Sequence, residues 1–176
     1  AFSGFNSNSF TDLSLLLKKQ KHTVIGGLNM VVDKFRHRNM HVLDAQTFTS
    51  GVYLQDTWDL TSKVILESGI RVDNMHFKNT GYTKNQTFVL PRVSALFKIT
   101  EKISSRIGGG LGYKAPTVFT EEAESLQYQN LQALKNVEAE RSVGGTADIN
   151  FKTKITSDLA FSINQMFFCT GISKPL

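Results

Sequence analysis

The sequence has little of what usually marks a protein's class. One cysteine in 176 residues cannot form an internal bridge, so Cys169 is incidental and the fold needs no covalent staple. Only three prolines interrupt it, leaving long stretches in which extended backbone can pair. No apolar run reaches about 18 residues, and the mean hydropathy is −0.17, which excludes a helical membrane span. That test is blind to a transmembrane β-barrel, whose strands alternate in polarity. Twenty Lys and Arg against 15 Asp and Glu give a net charge of +5. The basic residues are scattered, so charge selects no partner and nucleic acid is not expected. The sequence opens on Ala1 without a leader pattern and stops after Lys174, Pro175 and Leu176; it is expected to be part of a longer chain.

What is present is a period of two, the signature of strands whose faces meet different surroundings. Val64, Leu66, Ile70 and Val72 share one face, while Glu67, Arg71 and Asp73 share the other with Ile65 and Gly69. Val89, Pro91, Val93, Ala95 and Phe97 oppose Arg92, Ser94 and Lys98, and Ile103, Ile107, Gly109, Leu111 and Tyr113 oppose Ser104, Arg106 and Lys114. Val143, Ala147, Ile149 and Phe151 oppose Ser142, Thr146, Asp148 and Asn150, and Leu159, Phe161 and Ile163 oppose Ser162 and Asn164. Earlier, Leu13, Leu15 and Leu17 alternate, then Val24, Leu28, Met30 and Val32, then Val52, Leu54 and Trp58. The pattern predicts about eight strands, each near the roughly 9–11 residues that a tilted strand needs to cross a bilayer core.

The connections alternate in length. Short polar turns are expected at 19–21, 61–63, 100–102 and 152–154, and long links at 35–46, 78–86 and 117–137. Short turns on one side and long loops on the other are the habit of outer-membrane barrels. The loop stretch from Glu121 to Leu134 can form at most a short ornamental helix. A soluble sandwich also alternates, but it calls for shorter strands and more even loops. The predicted fold is therefore all-β, with antiparallel up-and-down strands of a transmembrane β-barrel. Trp58, Phe77, Phe97, Tyr113 and Phe151 fall near strand ends, where aromatic rings suit a bilayer interface.

Five motifs resemble consecutive strands of TonB-dependent outer-membrane receptors: GVYLQDTW (51–58), ESGIRVD (67–73), LPRVS (90–94), GYKAPT (112–117) and EAERS (138–142). They stand in the family's order and cover roughly the middle two-thirds of the chain. The resemblance implies a barrel of about 22 strands in the bacterial outer membrane, filled by an N-terminal plug and importing a ferric siderophore, haem or cobalamin. It also implies partners: outer-membrane lipid, the plug and remaining strands of the same protein, and the TonB complex through an N-terminal box. Residues 1–176 contain neither plug nor box and would form part of one barrel domain, unable to transport alone. The alternative is a complete small eight-stranded barrel with a structural or surface-binding role.

Candidate sites follow from where each residue falls. Glu67, Arg71, Asp73, Arg92, Arg106, Lys114 and Asp148 are expected to face the lumen, where pairing with one another is the first role to assign. Ligand contact is expected from the loops, with His37, Arg38, His41, Tyr82 and Tyr128 as candidates. His37 and His41 are four apart, but without a third ligand or a helical context they make no metal site. Gly108 to Gly112 lacks the ending of a phosphate loop and reads as close strand approach. Asn85-Gln86-Thr87 matches a glycosylation sequon by accident. No nucleophile–base set stands out, so the protein is expected to be no enzyme, with no cofactor.

The parity makes a direct prediction. Asp at Ile70 or Val93 should impair membrane assembly, read from heat-modifiable gel mobility, far more than Asp at Ser94 or Thr146. Equal tolerance at all four would show that the faces are reversed or mixed.

Overall fold

Pairing is consecutive and antiparallel throughout: each alternating segment bonds to the next, giving one sheet in the order β1 to β8. The computed structural model describes residues 4–38, 44–116 and 138–173. Its strands are β1 (Gly4–Lys19), β2 (His22–His37), β3 (Ala45–Trp58), β4 (Val64–Asn79), β5 (Thr83–Lys98), β6 (Ile103–Lys114), β7 (Glu140–Lys154) and β8 (Ala160–Ser173). Among the described residues no helix is long and apolar enough to cross a membrane. The helix considered at 121–134 lies outside them. β1 and β8 form the two edges and do not pair with each other, so these eight strands do not close into the small barrel considered as an alternative.

No second layer covers the sheet among the described residues, yet part of one face, on β2 to β5, is buried. Asn29, Phe35, Thr49, Asp73, Met75, Phe77 and Phe88 are all below a tenth exposed and all share one parity across the register. A single sheet buries one face only by curving around it. The opposite, convex face presents Leu28, Val52, Leu54, Ile70, Val89, Val93, Ile107, Val143 and Ile149, each about half exposed. Ile70 and Val93 stand at 48% and 54%. An apolar convex face and a polar concave one is the division that a barrel wall in lipid requires.

Three of the turns share one device. Leu60-Thr-Ser-Lys-Val64, Ile99-Thr-Glu-Lys-Ile103 and Ile155-Thr-Ser-Asp-Leu159 each place a threonine hydroxyl as acceptor for two backbone amides. Thr61 Oγ1 accepts from the amides of Lys63 at 3.2 Å and Val64 at 3.0 Å. Thr100 Oγ1 accepts from Lys102 and Ile103 at the same two distances. Thr156 Oγ1 accepts from Asp158 and Leu159 at 3.3 and 3.1 Å. In each the threonine amide also donates to the carbonyl of the last residue. The hydroxyl satisfies donors that the turn strips from the ladder. The β1–β2 turn differs: Gln20 adopts a φ of 52°, the left-handed geometry of a two-residue hairpin.

The structure corrects several sequence expectations. The link at 78–86 is not long: β4 runs to Asn79, β5 starts at Thr83, and Lys78 pairs with Thr83. Its polarity belongs to paired strand beyond the bilayer, where both faces meet water. The last short turn lies at 155–159 rather than 152–154, because β7 pairs through Lys154. Phe77 is buried on the concave face and packs with Met75, Phe88 and Ala139, so it is no interface marker. Gly108 does mark close approach: a Cβ there would meet the Ser94 Cβ at 2.6 Å.

Thr100→Val keeps the shape of its turn and removes the single acceptor of two hydrogen bonds. A loss of about 0.5–1.5 kcal/mol is expected, read as a lower unfolding temperature in the heat-modifiability gel, with Thr100→Ser near wild type.

Candidate functional site

The polar centre of the concave face is built from one transverse row. Asp12 of β1, Asn29 of β2, Gly51 of β3, Asp73 of β4 and Phe88 of β5 are successive partners in the ladder. Gly51 is the slot in this row, since a Cβ there would collide with the carboxylate of Asp73 and the amide oxygen of Asn29. The missing side chain lets groups from both neighbouring strands converge above one backbone position. Asp73 is 1% exposed, and burying a carboxylate is costly unless it is paired and hydrogen-bonded. Arg71 donates from Nε to both of its oxygens at 2.7 and 2.9 Å, and Tyr113 donates its hydroxyl at 3.0 Å. The amide oxygen of Asn29 is buried without a donor. Turning that amide by 180° presents a donor rather than an acceptor toward Asp73.

Tyr113 reaches Asp73 because β6 leaves β5. Their ladder covers only Arg92–Lys98 against Ser104–Gly110, while β4 and β5 pair as far as Lys78 and Thr83. Past Gly110 the strict alternation expected for β6 fails. Tyr113, placed by the sequence pattern on the apolar face, turns inward and stacks on Phe88 with centroids 3.9 Å apart and planes 5° from parallel. The guanidinium of Arg141 lies 5.3 Å from the Phe88 centroid. One row below, Tyr53 crosses to β1 and donates to Asp12 at 3.0 Å. A cleft of about 320 Å³ opens over this region, with Asn8, Asp33, Thr47, Arg71 and Tyr113 in its wall.

Arg71 and Asp73 thus form one pair, and Arg92 and Glu67 another at 2.7 Å. Arg106 and Asp148 are direct partners in register, without an ion pair between them among the described residues. Lys114 is the exposed last residue of β6 and pairs in register with Glu140. Of the loop candidates, His37 is not in a loop: it is the buried last residue of β2, and its amide donates to Asp44 at 2.8 Å. Arg38 is exposed just beyond it. Tyr82 sits in the tight β4–β5 turn, its ring 6.5 Å from that of Phe77. His41 and Tyr128 lie outside the described residues. Among the described residues no group of three or more His, Cys, Asp or Glu is placed to hold a metal ion. Sequence reasoning missed Asn29, Gly51, Tyr53 and Tyr113, since nothing but register brings them together.

At the short-turn rim the convex face carries a second small assembly. His22 is bonded to Asp56 at 2.7 Å and stacked on Trp58 with centroids 5.3 Å apart. An aromatic ring with polar neighbours at strand ends suits the bilayer interface.

The family model for the β-barrel of TonB-dependent receptor-like proteins matches residues 18–160. The chain belongs to this family. Barrels of TonB-dependent receptors reside in the bacterial outer membrane, and the family comprises receptors and transporters rather than enzymes. Solved structures share the fold. The FrpB iron transporter of Neisseria meningitidis in apoprotein form has a TM-score of 0.76 and 13% identity, over 97% of this chain and 30% of that one. The ferric-catecholate import receptor Fiu of E. coli K12 has a TM-score of 0.68 and 14% identity, over 97% of this chain and 32% of that one. A double mutant of the Serratia marcescens hemophore receptor HasR, in complex with its hemophore HasA and heme, has a TM-score of 0.65 and 12% identity, over 96% and 32%. The chain therefore spans about a third of the length of these receptors. Comparison with curated protein sequences finds no significant match.

Tyr113→Phe keeps the stack on Phe88 and removes one donor from the buried Asp73 carboxylate. A loss of about 1–3 kcal/mol is expected in thermal unfolding, and Gly51→Ala should cost at least as much by forcing Asn29 and Asp73 apart. Wild-type melting of both variants would show that the row is not a structural centre.

Proposed function

We propose that these strands are part of the barrel wall of a TonB-dependent transporter for a scarce nutrient, of the class of ferric siderophores, haem or cobalamin. The observation that carries this reading is the division of one sheet into an apolar convex face and a polar, internally paired concave face, within a chain of this family. Two unpaired edges, β1 and β8, call for further strands on both sides, which the rest of a larger barrel supplies. In this reading the concave face, with Glu67, Arg71, Asp73, Arg92, Arg106 and Asp148, lines the lumen and meets a plug. Outer-membrane lipid covers the convex face, and the TonB complex supplies energy through a segment outside these residues. Ligand contact is assigned to the end of the wall away from the threonine turns, where His37, Arg38 and Tyr82 lie, and, by sequence position alone, to His41 and Tyr128. Iron, copper and heme all occur among the ligands named for proteins of similar fold, so the fold does not choose between cargoes.

The test is uptake by cells that carry or lack the full-length gene, using labelled ferric siderophores, haem and cobalamin in turn. Uptake of one cargo should require both the gene and an intact TonB, and should stop when the proton gradient is collapsed. Uptake that persists without TonB, or no cargo dependent on the gene, would overturn the reading.

A further inference from the structure

The charges of the concave face are matched unevenly. Toward the middle of β4 and β5, Arg71 and Arg92 each hold a carboxylate at 2.7 Å. Toward the short turns of β5–β7, Lys98, Lys102, Arg106, Lys152 and Lys154 are all exposed, and none has an ion pair among the described residues. Asp148, Glu101 and Asp158 carry the opposite charge on the same strands and turns, and none of the three forms an ion pair with these cations among the described residues. The register puts Lys98, Ser104 and Asn150 in one row of the concave face, with Leu96, Arg106 and Asp148 in the next. The turns hold these lysines together: the Lys98 amide donates to the Lys63 carbonyl at 2.7 Å, and the Lys152 amide to the Lys102 carbonyl at 2.8 Å. Between them lies a recess of about 680 Å³ whose wall carries four lysines, Lys63, Lys98, Lys102 and Lys152, against one carboxylate, Glu101, with Ser104 and Asn150 among them.

We propose that this recess is the docking surface for an acidic stretch of polypeptide at the short-turn end of the wall. A field of one sign that the sheet itself leaves unneutralised selects a partner of the other sign. The cations spread over three strands, roughly 10 Å at the usual spacing, which is wider than one phosphate or carboxylate and fits carboxylates set along an extended segment. Ser104 and Asn150 lie between them and supply the hydrogen-bonding groups that a peptide backbone needs. Lipid headgroups would meet the convex face, whereas the walls of this recess come from the concave parity and the turns. The proposal rests on the barrel reading only in taking the concave face as the one away from lipid.

The experiment places a photo-crosslinking amino acid at Ser104 of the full-length receptor in outer membranes and identifies the captured peptide by mass spectrometry. Capture of a segment rich in Asp and Glu is expected. Yield should fall between about 0.05 and 1 M salt as screening shortens from roughly 14 to 3 Å. It should also fall about tenfold or more in Lys98→Glu/Lys102→Glu/Lys152→Glu, and return when the captured acids are changed to Lys. If the triple reversal does not assemble, the three Gln replacements and the salt series in wild type decide the matter. Crosslinks to lipid, to a neutral or basic segment, or to nothing, or a yield indifferent to salt and charge, would overturn the proposal. Failure of the barrel reading would appear separately, as a wild-type protein without heat-modifiable outer-membrane assembly.

Discussion

The structure depends on backbone pairing between consecutive strands. Every hydrogen-bonding group of a strand in lipid must find a partner in the next strand, since no water is available to take its place. Consecutive antiparallel pairing meets that demand with the shortest connections, and the period of two then sorts side chains onto two faces without further instruction. A register slip of one residue would put Arg71 and Asp73 into hydrocarbon and Ile70 and Val72 into the polar interior. The threonine turns support the same register from below, because each fixes the number of residues between two strands.

The buried carboxylate of Asp73 shows how the concave face tolerates charge. It is held by Arg71 on its own strand and Tyr113 two strands away, above a glycine that leaves room for it. The arrangement is tied to a local failure of regular pairing, for Tyr113 reaches inward only where β6 has left β5. The lower wall is different. There the cations of β5–β7 are exposed and none is ion-paired among the described residues, although Asp148, Glu101 and Asp158 share their strands and turns. One half of the wall is neutralised internally, and the other leaves its charge available.

Much of this architecture was legible in advance. The alternation in Val64 to Asp73 and in Val89 to Lys98 gave the faces correctly, because such patterns depend only on which residues are neighbours along the chain. The motifs shared with receptor strands pointed to the family, which the match over 18–160 establishes. The misreadings share a cause as well. Lys78 to Gln86 looks like a loop because its residues are polar, but a strand that continues past the membrane is polar on both faces. His37 reads as a loop residue for the same reason, yet it ends β2. Ring type and position along a strand put Phe77 and Tyr113 at an interface, but neither property can tell a bilayer interface from a buried contact.

By itself the sequence determined the all-β class, the eight strands, their parity and their order, since each follows from residues close together in the chain. The tertiary structure alone decided the curvature that buries one face, the row from Asp12 to Phe88, the parting of β6 from β5, and the pairing of Arg92 with Glu67. Each of these joins residues from different strands, and the distance between them is set by register and twist. Register and twist are properties of the whole sheet, so no window of sequence contains them.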